Sequence, residues 1–324
     1  MNQQISYPDI VIDDRFTLMI NKPIASRVED LFSESRYTDL HKSAFEKFFV
    51  FRVVDVHAKR AMAVCHYAEI DPGVFRSPGR ASYGGWAINE NFEYSLMDTL
   101  NQLVEKFLIE QGAKEIKLTL PPVEYDPVTS AYNINSLYRM GYQLAGSDLN
   151  YSIHVDPKIP FDDVVKTSNR RRIKKCRKAG VFTKKLDFSE AQSAYDVICR
   201  NRQHKGYPVT LSWQAVSDMI EHLPERTHFF GAFLDDKIIA GSLGFQISSN
   251  VYYVFYWGGD PEYLDLSPVS ILAGCIYDFC VNKKFKIMDI GISSLNSEPN
   301  ENLIQYKEKI GCKANLKLAL SKRL

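Results

Sequence analysis

The sequence predicts an α/β protein of the α+β kind, built from two similar units, each a mixed and mostly antiparallel sheet flanked by helices. Three observations predict it. Apolar segments follow one another as strand, strand, strand, helix, strand twice along the chain. A Gly-Gly break follows the third segment both times, with Gly85 and Gly259 lying 174 positions apart (259 minus 85). The glycines that end a later helix in each half, Gly141 and Gly311, lie 170 positions apart (311 minus 141). Tandem duplication of one α/β unit is the simplest account of such spacing.

In the first half, FFVFRVV (48–54) and AMAVCHYAEI (61–70) are apolar, β-branched or aromatic runs that read as strands, and SYGGWAI (82–88) carries the break. From Phe92 to Gln111 the apolar residues Phe92, Leu96, Leu100, Val104, Phe107 and Leu108 recur at helical spacing, and Gly112 stands where a helix C-terminus favours glycine. Glu115–Leu120 reads as a strand stopped by Pro121-Pro122.

In the second half, THFFGAFL (227–234), KIIAGSLGFQIS (237–248) and VYYVFYWGGD (251–260) form three antiparallel strands joined by Asp235-Asp236 and Ser249-Asn250 turns. A helix from Pro268 to about Asn282, the strand FKIMDIG (285–291) and the helix NLIQYKEKIGC (302–312) follow. NSLYRMGYQ (135–143) is the counterpart of that last helix in the first half. The boundary is expected at the proline-rich Asp156–Pro160, after a strand over 151–155, which gives units of 1–155 and 156–324.

Bulk composition removes several functions. The 40 Lys and Arg nearly cancel the 39 Asp and Glu, so a general attraction to DNA or to an anionic membrane has no support, and anion affinity must come from local clusters. The six cysteines show no CxxC spacing and suit a reducing cytosol. MNQQISYPDIVIDD lacks the basic and apolar regions of a leader, and no apolar run reaches the roughly 20 residues of a membrane span, so a soluble cytoplasmic protein is expected. No HExxH, paired Cys/His spacing, Walker loop or nucleophile elbow is present, which leaves direct chemistry without a metal or a serine acyl-enzyme.

One cluster stands out. NRRRIKKCRKAG (169–180) holds seven Lys or Arg and no acid. As a helix capped by Ser168 or Asn169, it would turn only Ile173, Cys176 and Ala179 or Gly180 to the sheet. Arginine forks and mobile lysines suit phosphate, and Arg170, Arg171, Lys174 and Arg177 are the expected contacts.

That run, followed in order by HKGYP (204–208), AGSLGF (240–245), YWGGD (256–260), DIG (289–291) and QYKEKIG (305–311), resembles the C-terminal half of the Fem-type (FemAB-like) aminoacyltransferases and related GNAT-superfamily N-acyltransferases. The first half resembles the partner GNAT-like unit of such proteins with weaker motifs. The resemblance implies tandem GNAT-like units, an acceptor-side and degenerate N-terminal one and a donor-binding, catalytic C-terminal one.

It also implies that the strands ending at Trp257 and Asp289 splay apart and admit the acyl donor between them. Tyr256 or Trp257, depending on which strand face lines the slot, would contact the donor, and Gly258 and Gly259 would allow its close approach. Ser267, as N-cap before Pro268, and Ser270 would present a helix N-terminus to donor phosphates. The spaced-glycine phosphate loop of acetyl-CoA enzymes is missing between Trp257 and Ser270. Lys307 beside Tyr306 takes the place of the Lys-aromatic pair of Fem-type enzymes and would stabilise an oxyanion, while Asp289 would orient or deprotonate the acceptor amine. His204, at the end of a helix starting at Ser189 with a capping box to Gln192, suits either a base or a partner for the helix dipole.

The expected activity is N-acyl transfer by direct attack of an amine on the carbonyl of acyl-CoA, a co-substrate rather than a tightly bound cofactor. The acceptor is a small-molecule, peptide or sugar amine. A Fem-type alternative takes aminoacyl-tRNA as donor and a cell-wall precursor as acceptor. A non-catalytic RNA- or anion-binding protein is the reading from another class.

Overall fold

A computed structural model describes residues 7–324; the first six residues, part of the stretch read for a leader, lie outside the described residues. The chain divides into two compact units, Met1–Asp148 with Leu316–Leu324, and Leu149–Asn315.

In chain order the first unit contains β1 (Ile10–Val11), β2 (Phe16–Ile20), α1 (Ser35–His41), β3 (Phe48–Asp55), β4 (Arg60–Asp71), β5 (Val74–Ser77), β6 (Ala87–Ile88), α2 (Met97–Glu110), β7 (Glu115–Thr119), α3 (Pro127–Arg139) and the start of β8 (Gln143–His154). The helical spacing in α2 buries Leu100, Val104, Phe107 and Leu108, and Gly112 follows at φ +94°, the left-handed conformation that ends helices. Asp126 caps α3 by accepting from the Thr129 amide at 3.0 Å, with Pro127 in the first turn.

The third strand here differs from expectation. It is the four-residue β5, separated from the Gly-Gly pair by six residues, and only the two-residue β6 falls within 82–88. Pro78 ends β5 too early for an alternation to be read. Gly84 then packs onto the strand end, where a Cβ would stand 2.7 Å from the Pro78 nitrogen.

The second unit continues with α4 (Phe161–Val164), α5 (Thr167–Lys178), β9 (Phe182–Leu186), α6 (Ala191–His204), α7 (Trp213–His222), β10 (Thr227–Leu234), β11 (Lys237–Gln246), β12 (Val251–Gly259), α8 (Pro268–Lys283), β13 (Ile287–Ile292), a small hairpin of β14 (Ser294–Leu295) and β15 (Glu298–Pro299), and α9 (Glu301–Lys309). The last strand, β16 (Lys313–Arg323), passes into the first unit. Three expected caps are absent. α5 starts one residue before Ser168, with Lys166 at its N-cap; α6 follows a single 3-10 turn, with Glu190 at its N-cap; and Ser267 precedes α8 at φ 55° without bonding its side chain to the helix.

In the first unit the strands are ordered β1-β2-β3-β4-β5-β7-β16, with β6 also on β4; in the second the order is β8-β13-β12-β11-β10-β9. Every pair within these sheets is antiparallel except β5–β7 and β12–β13, the pairs joined by a helical crossover. Both sheets are therefore mixed, mostly antiparallel and flanked by helices.

The first changeover between units precedes the expected Asp156 because β8 is longer than the 151–155 strand read from sequence. The second, at Leu316, is a return of the chain that a linear reading does not contain. Each unit has its own core. Phe16, Phe51, Phe75, Leu100 and Leu108 are fully buried in one, and Phe230, Tyr252, Leu272, Ile276 and Met288 in the other. Burying a side chain of this size stabilises the fold by about 1.5–3 kcal/mol.

Candidate active site

β12 and β13 pair at Val251↔Ile287, Tyr252↔Met288 and Tyr253↔Asp289, and no further. β12 nevertheless runs on to Gly259, still paired with β11 on its other side as far as Ala240↔Gly259. From Val254 onward one edge of β12 thus lacks a strand partner, and its backbone groups can bond an extended ligand. Among the described residues the first unit shows no such opening, because all four residues of β5 pair with β7, from Val74↔Glu115 to Ser77↔Leu118.

Lys307 comes from α9 to the far end of β13. It is 2 % exposed, and its Nζ donates to the carbonyls of Gly291 at 2.7 Å and Ile292 at 2.9 Å. Its ammonium also lies 5.8 Å from the centre of the Tyr151 ring. Burial pushes its pKa down to about 8, against the opposing attraction of Asp289. Asp289 is buried as well, accepting from Asn150 Nδ2 at 2.9 Å through Oδ2 and from the Gly291 amide through Oδ1. The neighbouring Tyr306 hydroxyl is raised by burial, and its ring meets that of Trp257 edge-on at 6.2 Å.

The sequence parity of β12 breaks at Phe255. Leu243 faces Tyr256 while Gly244 faces Val254, so Phe255 has no partner and forms a β-bulge. Strict alternation would set Trp257 opposite Tyr252 and Val254. The bulge instead returns Trp257 to the α8 side, where it packs against their core cluster. Tyr256 turns to the α6 side, and its hydroxyl accepts from the Thr210 amide at 3.0 Å. Tyr256 and Trp257 therefore stand on opposite faces.

The two glycines have packing reasons to be glycine. A Cβ on Gly258 would lie 2.7 Å from the Asn201 Cβ on α6, and one on Gly259 would lie 3.2 Å from Pro268 on α8. Neither has a positive φ. Asn201 completes the junction by donating to the Gly259 carbonyl at 2.6 Å.

Between β12 and α8 runs a 3-10 segment, Pro261–Leu266, whose end is tied to the basic helix. Lys175 Nζ donates to the Asp265 carbonyl at 2.8 Å, and Cys176 Sγ to that of Leu266 at 2.6 Å. Ser270, in the first turn of α8, donates to Asn169 Oδ1 at 2.8 Å. Of the four expected phosphate contacts, Arg177 forms a two-pronged ion pair with Asp162, whose carboxylate raises its pKa, and Arg170 lies 3.6 Å from Asp163. Arg171 and Lys174 are exposed.

The structure thus brings Lys307, Tyr306 and Trp257 to one region and joins Ser270 to α5. His204 is exposed at the end of α6. Sequence reasoning missed Asn150 and Asn201, each nearly fully buried and bonded to a residue it had singled out. An asparagine within an apolar run, as in LNYSIHV (149–155), is the signal that could have found the first. Among the described residues no group of three or more His, Cys, Asp or Glu gathers as a metal site, and no helix is long and apolar enough to cross a membrane.

Comparison with known proteins agrees with this geometry. Residues 165–308 match the acetyltransferase (GNAT) domain family. Among solved structures, FemX is similar over 92 % of this chain and 93 % of its own, with 12 % identity and a TM-score of 0.68. The C-terminal domain of a putative lysylphosphatidylglycerol synthetase from Agrobacterium fabrum is similar over 81 % and 82 %, with 11 % identity and a TM-score of 0.56. A tandem GNAT protein from the clavulanic acid biosynthesis pathway is similar over 92 % and 90 %, with 11 % identity and a TM-score of 0.50. No curated protein matches the sequence. The matched domain thus covers residues 165–308, and strand order and the open β12 edge belong to a fold that this chain shares with FemX.

Proposed function

We propose that the C-terminal unit transfers an acyl group from acyl-CoA to the amine of a small-molecule, peptide or sugar acceptor by direct attack. The observation that carries this reading is the end of β12–β13 pairing at Tyr253↔Asp289, with the buried Lys307 ammonium at the end of β13. The donor chain lies along the free edge of β12, beside Trp257. The amine nitrogen bonds to the thioester carbon, and the carbonyl oxygen takes up the electron pair as an oxyanion. Lys307 stabilises that charge, and Tyr306 shapes the wall beside it. Collapse of the tetrahedral species breaks the carbon–sulfur bond, and the proton given up by the amine ends on the departing sulfur, which leaves as the thiol. The N-terminal unit, whose β5 edge is closed by β7, holds the acceptor rather than a second donor.

Donor phosphates are assigned to the start of α8, near Ser267 and Ser270, and to the exposed Arg171 and Lys174 of α5. One observation favours a second donor, an aminoacyl ester of tRNA. The segment before α8 has no spaced glycines, and Lys175 and Cys176 hold its carbonyls, so it lacks the open amide turn that cradles a pyrophosphate. Incubating the protein with acyl-CoAs and with aminoacyl-tRNA in the presence of amine panels tests both readings. Amide formation with thiol release supports the first. Transfer from charged tRNA alone supports the second, and absence of transfer from either donor removes both.

A further inference from the structure

The carboxylate of Asp289 has little freedom to act as a base. Its Oδ2 accepts from Asn150 and its Oδ1 from the amide two residues ahead, so a donor already occupies each oxygen. A general base must turn a lone pair toward the proton it removes. Taking up a proton there would turn the acceptor of both bonds into a neutral acid and remove the negative charge that faces Lys307.

The same contacts lead to Lys307. The bond from the Gly291 amide to Asp289 closes an Asx-type turn, and Gly291 adopts φ +75°, a conformation that glycine takes without strain. That turn fixes the direction of the Gly291 carbonyl, which receives the Lys307 ammonium at 2.7 Å, with the Ile292 carbonyl beside it. Asn150 on β8 anchors the carboxylate, Asp289 sets the turn, and the turn aims the cation.

Resting on the reading of Lys307 as the oxyanion-stabilising group, we propose that Asp289 is a positioning residue that keeps Lys307 charged and directed at the end of the slot, and that it does not take the proton of the acceptor amine. The groups facing the ammonium from the surrounding elements agree with this division. Tyr151 on β8 offers its ring, Cys312 beyond α9 is buried, and Asp289 supplies the negative charge.

The test is the pH dependence of kcat for wild type and Asp289→Asn, which keeps the shape and removes the charge. Loss of the carboxylate is expected to move the alkaline limb down by about one unit, so that the rate at pH 8 falls roughly fivefold while that at pH 6.5 stays within about twofold. A loss equal at every pH, or the disappearance of an acidic limb, overturns the inference. Asn150→Ala keeps the test open if Asp289→Asn does not fold. It releases one carboxylate oxygen, so kcat falls several-fold with KM unchanged if Asp289 positions, whereas a rise in kcat contradicts the assignment. Lys307→Met separates the two layers: if it turns over like wild type, the reading of Lys307 fails, whatever the Asp289 profiles show.

Discussion

Tyr253 on β12 and Asp289 on β13 form the last paired rung between these strands, after which β12 continues for six residues with one edge unpaired by any strand. The opening lies beside the site where Lys307 is held.

The ammonium of Lys307 sets the expected pH behaviour. Only its charged form stabilises an oxyanion, and burial places its pKa at about 8. Turnover should therefore decline as pH rises through about 8. Stability should move the other way. The native lysine releases its proton near 8 and the unfolded one near its ordinary 10.5, so between these values the unfolded chain binds more protons and folding becomes more favourable as pH rises. Rate profiles and urea midpoints across pH 7–10 check the two signs.

Gly241 is paired with Gly258, and both face α6. A Cβ on Gly241 would stand 3.0 Å from the Ala194 Cα and closer still to its carbonyl oxygen, which is backbone and has little room to yield. Gly241→Ala should cost about 3 kcal/mol of stability, with overpacking the cause. Gly259→Ala, whose Cβ would meet Pro268 at 3.2 Å, should cost less. Urea unfolding of both variants gives the comparison.

The cations of α5 should divide by what they already touch. Arg177 is engaged with Asp162, whereas Arg171 and Lys174 are exposed. Replacing Arg171 and Lys174 with alanine should weaken donor binding several-fold and flatten its salt dependence. Arg177→Ala should change donor affinity little and instead loosen the tie between the last turn of α5 and Asp162 of α4. Titrations at two salt concentrations distinguish these effects.

Asn201→Ala removes the donor to the Gly259 carbonyl and leaves that oxygen buried without its partner. A loss of about 1–3 kcal/mol is expected, measured by urea unfolding.

Much of this architecture is legible because strong local signals agreed with the tertiary packing. THFFGAFL coincides with β10, the Asp235-Asp236 turn joins it to β11, and the α2 periodicity matches its buried face. β5 escaped because four residues ahead of a proline carry no measurable period. β16 joins the first unit across the whole length of the second, a pairing set by tertiary contacts alone. At the site, the end of β12–β13 pairing lies where the resemblance set the slot, but one unpaired residue, Phe255, broke the strict alternation that would put Trp257 opposite Tyr252 and Val254. A bulge leaves no mark on composition or spacing. The partners Asn150 and Asn201 were hidden for a related reason, since a buried amide is recognised by what it bonds.

The central claim is that Lys307 stabilises the charge that develops during acyl transfer at the open end of β12. Single-turnover transfer by wild type and Lys307→Met, with binding of the donor measured separately, tests it most directly. The account predicts a fall in the rate of the chemical step of roughly 10²–10³-fold with donor affinity nearly unchanged, the size expected on losing one oxyanion-stabilising group. A Lys307→Met protein that remains folded and transfers at the wild-type rate would contradict it.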